Sequence, residues 1–273
     1  MRQTSTIVFC GVDALIPPHG KISTGFDEFT AALDHAGIPA VWVTTRSRGQ
    51  MDDPRRKLGH EHPFITEEGC GVCLPEGYFH LRPAKTVRLG RFTCIPIAEP
   101  QPAAREALES LSEDTGVSLV TLRSLSARQV MQNSGLPARE AELARQHDFD
   151  ELFFFAGATE QDIDRFVEEG RIRKLQLRQH GVLWSLAAGA SLHLCVRELS
   201  KLYERALRSH PTLLGIATRD ESRELFAACE RAILLGHGAA DDAGQLDSSK
   251  AREIPFPAPD TWDRVLASLA PRG

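Results

Sequence analysis

Residues 6–43 hold the pattern that most restricts what this chain can fold into. Ile7 to Val12, within Thr6-Ile7-Val8-Phe9-Cys10-Gly11-Val12, reads as a buried strand. From Gly25 to Ala36 the apolar residues recur at helical spacing, with Phe26, Phe29, Ala32 and Leu33 on one face. Gly37 supplies a C-cap, and Ile38-Pro39-Ala40-Val41-Trp42-Val43 is a second buried strand. Strands that are apolar on both sides need cover on both faces. The strand-helix-strand order therefore predicts a βαβ unit opening a parallel, doubly wound sheet. Ligands of such sheets gather outside the carboxyl ends of the strands. Those ends carry Asp13 after the first strand and Thr44-Thr45-Arg46-Ser47-Arg48 after the second.

The rest of the chain extends this plan. Phe64 to Pro75 reads as a strand, a glycine turn and a return strand. After Pro83 the pattern changes. Pro100 to Ser112 and Ser126 to Met131 are helical, while Gly116 to Leu122 and Asp150 to Ala156 are strand-like. Thr159 to Glu169 is a helix with Thr159 as N-cap and Asp162 at N3. Leu175 to Leu186 alternates about Gly181 as a second hairpin and leads into a long helix, Leu192 to Arg208. Pro211 to Ala217 and Ala232 to Gly236 are core strands around a helix from Asp220 to Cys229. Ala239 to Lys250 reads as a solvated loop and Asp260 to Leu269 as a closing helix. No internal repeat is present. The predicted fold class is α/β, with a doubly wound core from residues 1–85 and 185–273 and an α+β cap inserted over 86–184.

Composition removes several classes of function. A formal charge of -5 lacks the basic footprint of a nucleic-acid binder. No segment approaches the roughly 18 uninterrupted apolar residues of a membrane helix, and Met1-Arg2-Gln3-Thr4-Ser5 lacks the layout of an export signal. A cytoplasmic protein with neither a membrane nor a nucleic-acid partner is expected. The six cysteines, at 10, 70, 73, 94, 195 and 229, read as small buried residues. Cys70 and Cys73 form one CxxC pair without the second pair that a zinc site needs. His60-Glu61-His62 reads as part of a mobile polar loop.

Five stretches carry a family likeness: Phe9 to Pro17, Val43 to Arg48, Pro63 to Gly69, Leu74 to Phe79, and Gly135-Leu136-Pro137 through Glu151. With the order of elements, they resemble the haloacid dehalogenase superfamily and, within it, the mannosyl-3-phosphoglycerate phosphatases. The resemblance covers nearly the whole chain and implies a Rossmann-like core with an inserted cap. It also implies phosphatase parts. One Asp attacks phosphorus and a second, two residues on, protonates the leaving group. A Thr or Ser and a Lys hold the phosphoryl oxygens, and further Asp residues fix Mg²⁺. Cation and metal are needed because a phosphoryl dianion repels an anionic nucleophile.

Carried across by position, the resemblance puts Gly11 at the nucleophile, Asp13 at the acid/base, Thr44 at the hydroxyl and Arg46 as its basic neighbour. The lysine falls on Leu192 and the two metal aspartates on Thr218 and Ser222. A two-residue slip would instead offer Asp13, Asp220 and Glu224 as metal ligands. Arg219 and His193 are candidate anion-binding groups. In the cap Glu151 is kept as a substrate-binding candidate, while His147 stands where an arginine is expected. Joint loss of nucleophile, lysine and metal carboxylates leads to the expectation of a retired phosphatase, a pseudoenzyme with no cofactor. Such a protein would bind a phosphorylated or sugar-acid ligand, or a partner protein. The alternative is an active, Mg²⁺-dependent phosphohydrolase with a rearranged site.

Overall fold

The computed structural model describes residues 6–80, 83–236 and 251–269. The expected loop at 239–250 and the polar start lie outside the described residues. The chain opens with β1 (Thr6–Gly11), α1 (Phe26–His35), β2 (Ala40–Val43), α2 (Arg48–Lys57), β3 (Phe64–Thr66), β4 (Gly71–Leu74), β5 (Val87–Leu89) and β6 (Phe92–Pro96). It continues through α3 (Gln101–Thr115), β7 (Leu119–Thr121), α4 (Ala127–Ser134), α5 (Ala138–Leu143), β8 (Glu151–Phe155), α6 (Glu160–Ile172), β9 (Leu175–His180) and β10 (Leu183–Ala188). It returns with α7 (Leu192–Leu207), β11 (Thr212–Thr218), α8 (Arg219–Ala228), β12 (Arg231–Leu235), β13 (Ala251–Ile254) and α9 (Thr261–Leu269).

The large sheet has nine strands in the order β13-β12-β11-β1-β2-β3-β4-β6-β5, parallel from β13 to β3 and antiparallel beyond. The strand period of two sorts β1 between two cores. Val8 and Cys10 face the layer holding Phe26, Phe29 and Trp262; Ile7 and Phe9 face the layer holding Val196, Leu199 and Phe226. Each such side chain contributes roughly 1.5–3 kcal/mol on burial, so β1 is anchored on both faces and its carboxyl end is held rigidly.

A separate four-stranded sheet, β7-β8-β10-β9, forms the cap and packs its own core around Phe153, Phe166 and Leu186. Thr159 caps α6 in a capping box with Asp162, as its sequence predicts. Sheet membership divides the chain later than the expected 86 and 184. β5 and β6 (87–96) add to the large sheet, and β10 runs to Ala188 in the small one.

One local expectation is corrected. His60 is not in a mobile loop: it is buried, stacks on Trp42 at 3.9 Å, and its Nε2 lies 2.6 Å from the Ala40 carbonyl oxygen. The cause is α2, which sequence periodicity did not reveal because Met51 is its one buried apolar residue beside Gln50 and Arg55. Arg55 packs over the Phe64 ring at 4.2 Å and donates to His60 Nδ1 at 3.1 Å, which draws the following turn inward. The CxxC cysteines do not meet as a pair. Cys73 faces Cys94 across β4 and β6, and Cys70 packs with Ala98, Phe149 and Ala187.

Candidate active site

The carboxyl ends of β1, β2 and β11 meet beneath the tip of the β9–β10 hairpin, enclosing a cavity of about 670 Å³. Gly11, Asp13, Thr44, Thr45, Thr218 and Glu221 form its core side, and Arg178 and His180 reach into it from β9. Those two lie two residues apart on one strand, so they share a face.

Asp13 is the centre of a small network. Its Oδ1 accepts from the Thr44 hydroxyl and from Arg46 Nε at 3.3 Å, and its Oδ2 accepts from the Thr45 backbone N–H at 2.7 Å. The turn that aims these donors is held by Ser47, which starts α2 in a capping box with Gln50. Asp13 thereby binds the end of β1 to the end of β2, with both carboxylate oxygens committed.

Glu221 supplies what position 11 lacks. A Cβ built on Gly11 would stand 2.8 Å from Glu221 Oε2, so this carboxylate fills the space a side chain there would use. Its Oε1 accepts the backbone N–H groups of Asp13 at 2.8 Å and Ala14 at 3.2 Å, and the Thr218 hydroxyl donates to Oε2 at 3.2 Å. Burial first, and the nearby charge of Asp13 second, push the Glu221 acid up to about 7. A carboxylate delivered by α8 has taken the position that the first strand leaves empty.

A second network lies on the cap side. Glu68 meets His180 Nε2 at 3.1 Å and Arg178 Nη1 at 3.5 Å. Burial works against its charge, yet hydrogen bonding and attraction from His180, with Arg178, hold its carboxyl below the ordinary value. Burial also works against the His180 cation, but the Glu68 hydrogen bond and charge outweigh it and raise its pKa.

The other residues singled out by sequence are placed differently. α8 begins at Arg219, and Glu224 pairs with Arg178 at 2.7 Å through both carboxylate oxygens. Asp13, Asp220 and Glu224 all line the cavity, while among the described residues the grouping with metal-ligand spacing is Glu67, Cys70 and Asp150, outside it. Arg219 and His193 are exposed and do not line the cavity, whereas Leu192, at the lysine position, does. Glu151 is buried inside the cap, accepting from Gln101 Nε2 with Arg123 Nε at 3.8 Å. Glu221, Glu68, Arg178 and His180 were not recognisable beforehand. The available signals were the i, i+3 spacing of Thr218 and Glu221 and the alternation of Arg178 and His180.

The residues at the positions that the family resemblance assigns to Mg²⁺ do not fit the ion. Thr218 stands at one aspartate position, Gly11 has no carboxylate, and the oxygens of Asp13 and Glu221 are held by N–H, hydroxyl and guanidinium donors. A magnesium site needs several oxygens free to turn toward the ion.

Comparison with solved structures identifies the fold. A phosphatase of the haloacid dehalogenase superfamily from Bacteroides thetaiotaomicron covers 97% of this chain and 95% of its own at a TM-score of 0.64 and 13% identity. A subclass IIB sugar phosphatase of that superfamily gives 0.61 at 13% identity, over 97% of each chain. The protein has the haloacid-dehalogenase-like fold. In sequence it is similar to glucosyl-3-phosphoglycerate/mannosyl-3-phosphoglycerate phosphatases, sharing 25% identity over 218 residues with that of Methanococcoides burtonii, 78% of this chain and 79% of the relative. The enzyme of Persephonella marina is 23% identical over 237 residues, 85% of each. No protein-family model matches the chain.

Proposed function

We propose that the cleft binds and hydrolyses phosphomonoesters by a rearranged site in which Glu221 of α8 replaces the carboxylate missing from β1. The observation that carries this reading is the position of Glu221 Oε2, 2.8 Å from where a Gly11 side chain would begin. The phosphatase identity of its sequence relatives supports it. With its pKa near 7, the Glu221 carboxylate is a base matched to neutral solution. It takes a proton from the water whose oxygen attacks phosphorus. The ester P–O bond breaks, and the departing oxygen takes its proton from the His180 imidazolium. The products are inorganic phosphate and the free alcohol. Asp13 orients Thr44, Thr45 and Arg46 and does not donate.

A second reading is a binding site without turnover. It is favoured by Leu192, buried against Val196 and Leu199 at the lysine position, and by Glu221 itself, which already occupies the Asp13 and Ala14 amides. Phosphate release from p-nitrophenyl phosphate and from mannosyl-3-phosphoglycerate, with and without Mg²⁺, separates the two. Hydrolysis without added metal, rising with pH through about 7 and reduced at least ~100-fold by Glu221→Gln, is expected of a positioned general base. No release from either ester, together with stabilisation by inorganic phosphate, establishes the binding reading instead.

A further inference from the structure

Glu68 is the point at which the core reaches across the cleft to the cap. It sits in the β3–β4 turn at φ 51° and ψ 39°, in the left-handed region that residues with long side chains seldom adopt. Its backbone is tied on both sides of that strained position. The Glu68 N–H donates to the Thr44 carbonyl at 3.1 Å, and the Glu68 carbonyl accepts from Arg178 Nη1 at 3.0 Å. Held this way, the side chain carries Oε2 to 3.1 Å from His180 Nε2 and 3.5 Å from Arg178 Nη1. A non-glycine residue persists in such a conformation where its surroundings over-determine it, and such residues cluster at functional sites.

The strand that meets Glu68 also ties down the helix that bears Glu221. Arg178 Nη2 meets both oxygens of Glu224 at 2.7 Å, and Glu224 stands one turn along α8 from Glu221. Two residues apart on β9, Arg178 and His180 thus engage two separate core elements. The Nε2 of His180 also lies 3.2 Å from Ser185 Oγ, so this nitrogen is occupied by its neighbours. Among the described residues no hydrogen bond is made to Nδ1. Both nitrogens of an imidazolium carry protons, and Nδ1 is the one free to give its proton away.

Charges from several elements act on this imidazole. Burial opposes its cation, Glu68 outweighs burial, and Asp150 and Asp13 add smaller contributions of the same sign. Arg178 on its own strand, with Arg46 and His147 around the adjoining cavity that His19 also lines, act the other way as cations. Across the cleft α8 presents Asp220, Glu221, Arg223 and Glu224, a mixed set.

We propose that Glu68 is the positioning residue of this site: from its strained turn it fixes the ring of His180, leaving Nδ1 to serve the departing oxygen, and seats β9 on the core. This rests on the phosphomonoester reading for the use of the proton, and on geometry alone for the hold on His180. The proton passes from Nδ1 to the ester oxygen as the P–O bond breaks, and Glu68 stays ionised throughout. Glu68 acts through His180 and touches neither phosphorus nor the attacking water.

The test uses Glu68→Gln, which keeps the shape and removes the charge, and Glu68→Asp, which keeps the charge in a residue type that tolerates positive φ. Two esters with different leaving groups are compared by phosphate release. p-Nitrophenolate departs readily without a proton, whereas glycerol 2-phosphate must expel an alkoxide unless an acid protonates it. Glu68→Gln is expected to lower kcat on glycerol 2-phosphate at least ~10-fold more than on p-nitrophenyl phosphate, and Glu68→Asp to recover part of that difference. The His180 titration, followed by NMR and identified by its absence from His180→Gln, should fall by at least ~1 pH unit in Glu68→Gln. Equal losses on the two esters overturn the assignment and leave hydrolysis standing, and so does an unmoved His180 titration. A titration that falls in Glu68→Gln, with neither ester hydrolysed by the wild type, overturns the phosphohydrolase reading and leaves the hold on His180 standing.

Discussion

At the scale of single residues, Gly11 and Glu221 form one unit, because the side chain that one lacks is the space that the other fills. An aspartate placed at 11 would meet Glu221 Oε2 from a Cβ 2.8 Å away and would bring a second carboxylate beside it. Gly11→Asp alone is therefore expected to lose ~1–3 kcal/mol of stability by overpacking and like-charge repulsion. Combining it with Glu221→Ala clears the volume, so the double variant should recover at least half of that loss in a double-mutant cycle by chemical denaturation. Equal losses in the two backgrounds would show that the residues do not share the space. The vacancy at Gly11 was legible in the sequence because it is a question of residue identity. Its filling by Glu221 was not, because the reach of a side chain from α8 depends on how that helix packs.

Among the elements, the β3–β4 turn decides how the core meets the long helix. Glu67 and Glu68 adopt φ of 50° and 51°, and Gly69 follows at 95°, where a Cβ would come within 2.4 Å of the Leu192 backbone nitrogen. The Gly69 carbonyl accepts the Ser191 N–H at 3.0 Å, so this turn fixes the start of α7. Gly69→Ala meets backbone that cannot turn aside and should lose about 3 kcal/mol or more in urea unfolding. Gly77→Ala, also at positive φ but with nothing within 4 Å, should lose only ~1 kcal/mol. Similar losses at both sites would refute the close-approach argument. Hairpin and helix were each readable from local pattern. Their contact was not, since nothing local in 64–75 points to residues 191 and 192.

Over the whole molecule, core and cap are joined by a buried polar seam. Glu67 accepts the backbone N–H groups of Asp148, Phe149 and Asp150 at 3.0, 2.8 and 3.1 Å, while His147 pairs with Asp150 and lies 3.9 Å from Glu67. Burial and the neighbouring Asp150 charge raise the Glu67 acid from 4.5 to about 7. Its contribution is complete below pH 4.5 and is lost as pH rises through about 7. For His147, burial opposes the cation, but Asp150 and Glu67 outweigh it and raise the pKa from 6.5 to about 9. That contribution is complete below pH 6.5 and is lost as pH rises through about 9. Both signs agree, so the seam weakens in alkaline solution by at most ~3 kcal/mol for the His147 part. Thermal unfolding of the wild type should therefore drop more steeply between pH 6.5 and 9 than that of His147→Gln, and parallel profiles would remove His147 from the seam. Among the described residues no helix is long and apolar enough to cross a membrane.

Residue order alone determined the parallel core and the absence of a carboxylate at Gly11, because alternation, helical spacing and residue identity act within a few positions of the chain. Tertiary packing decided the rest. Asp13 and Glu221 stand 208 positions apart, and Glu68 and Arg178 stand 110 apart. Neither pairing leaves a periodic trace, since each exists only after β1, β11 and the cap hairpin have been brought together by burial of their apolar faces.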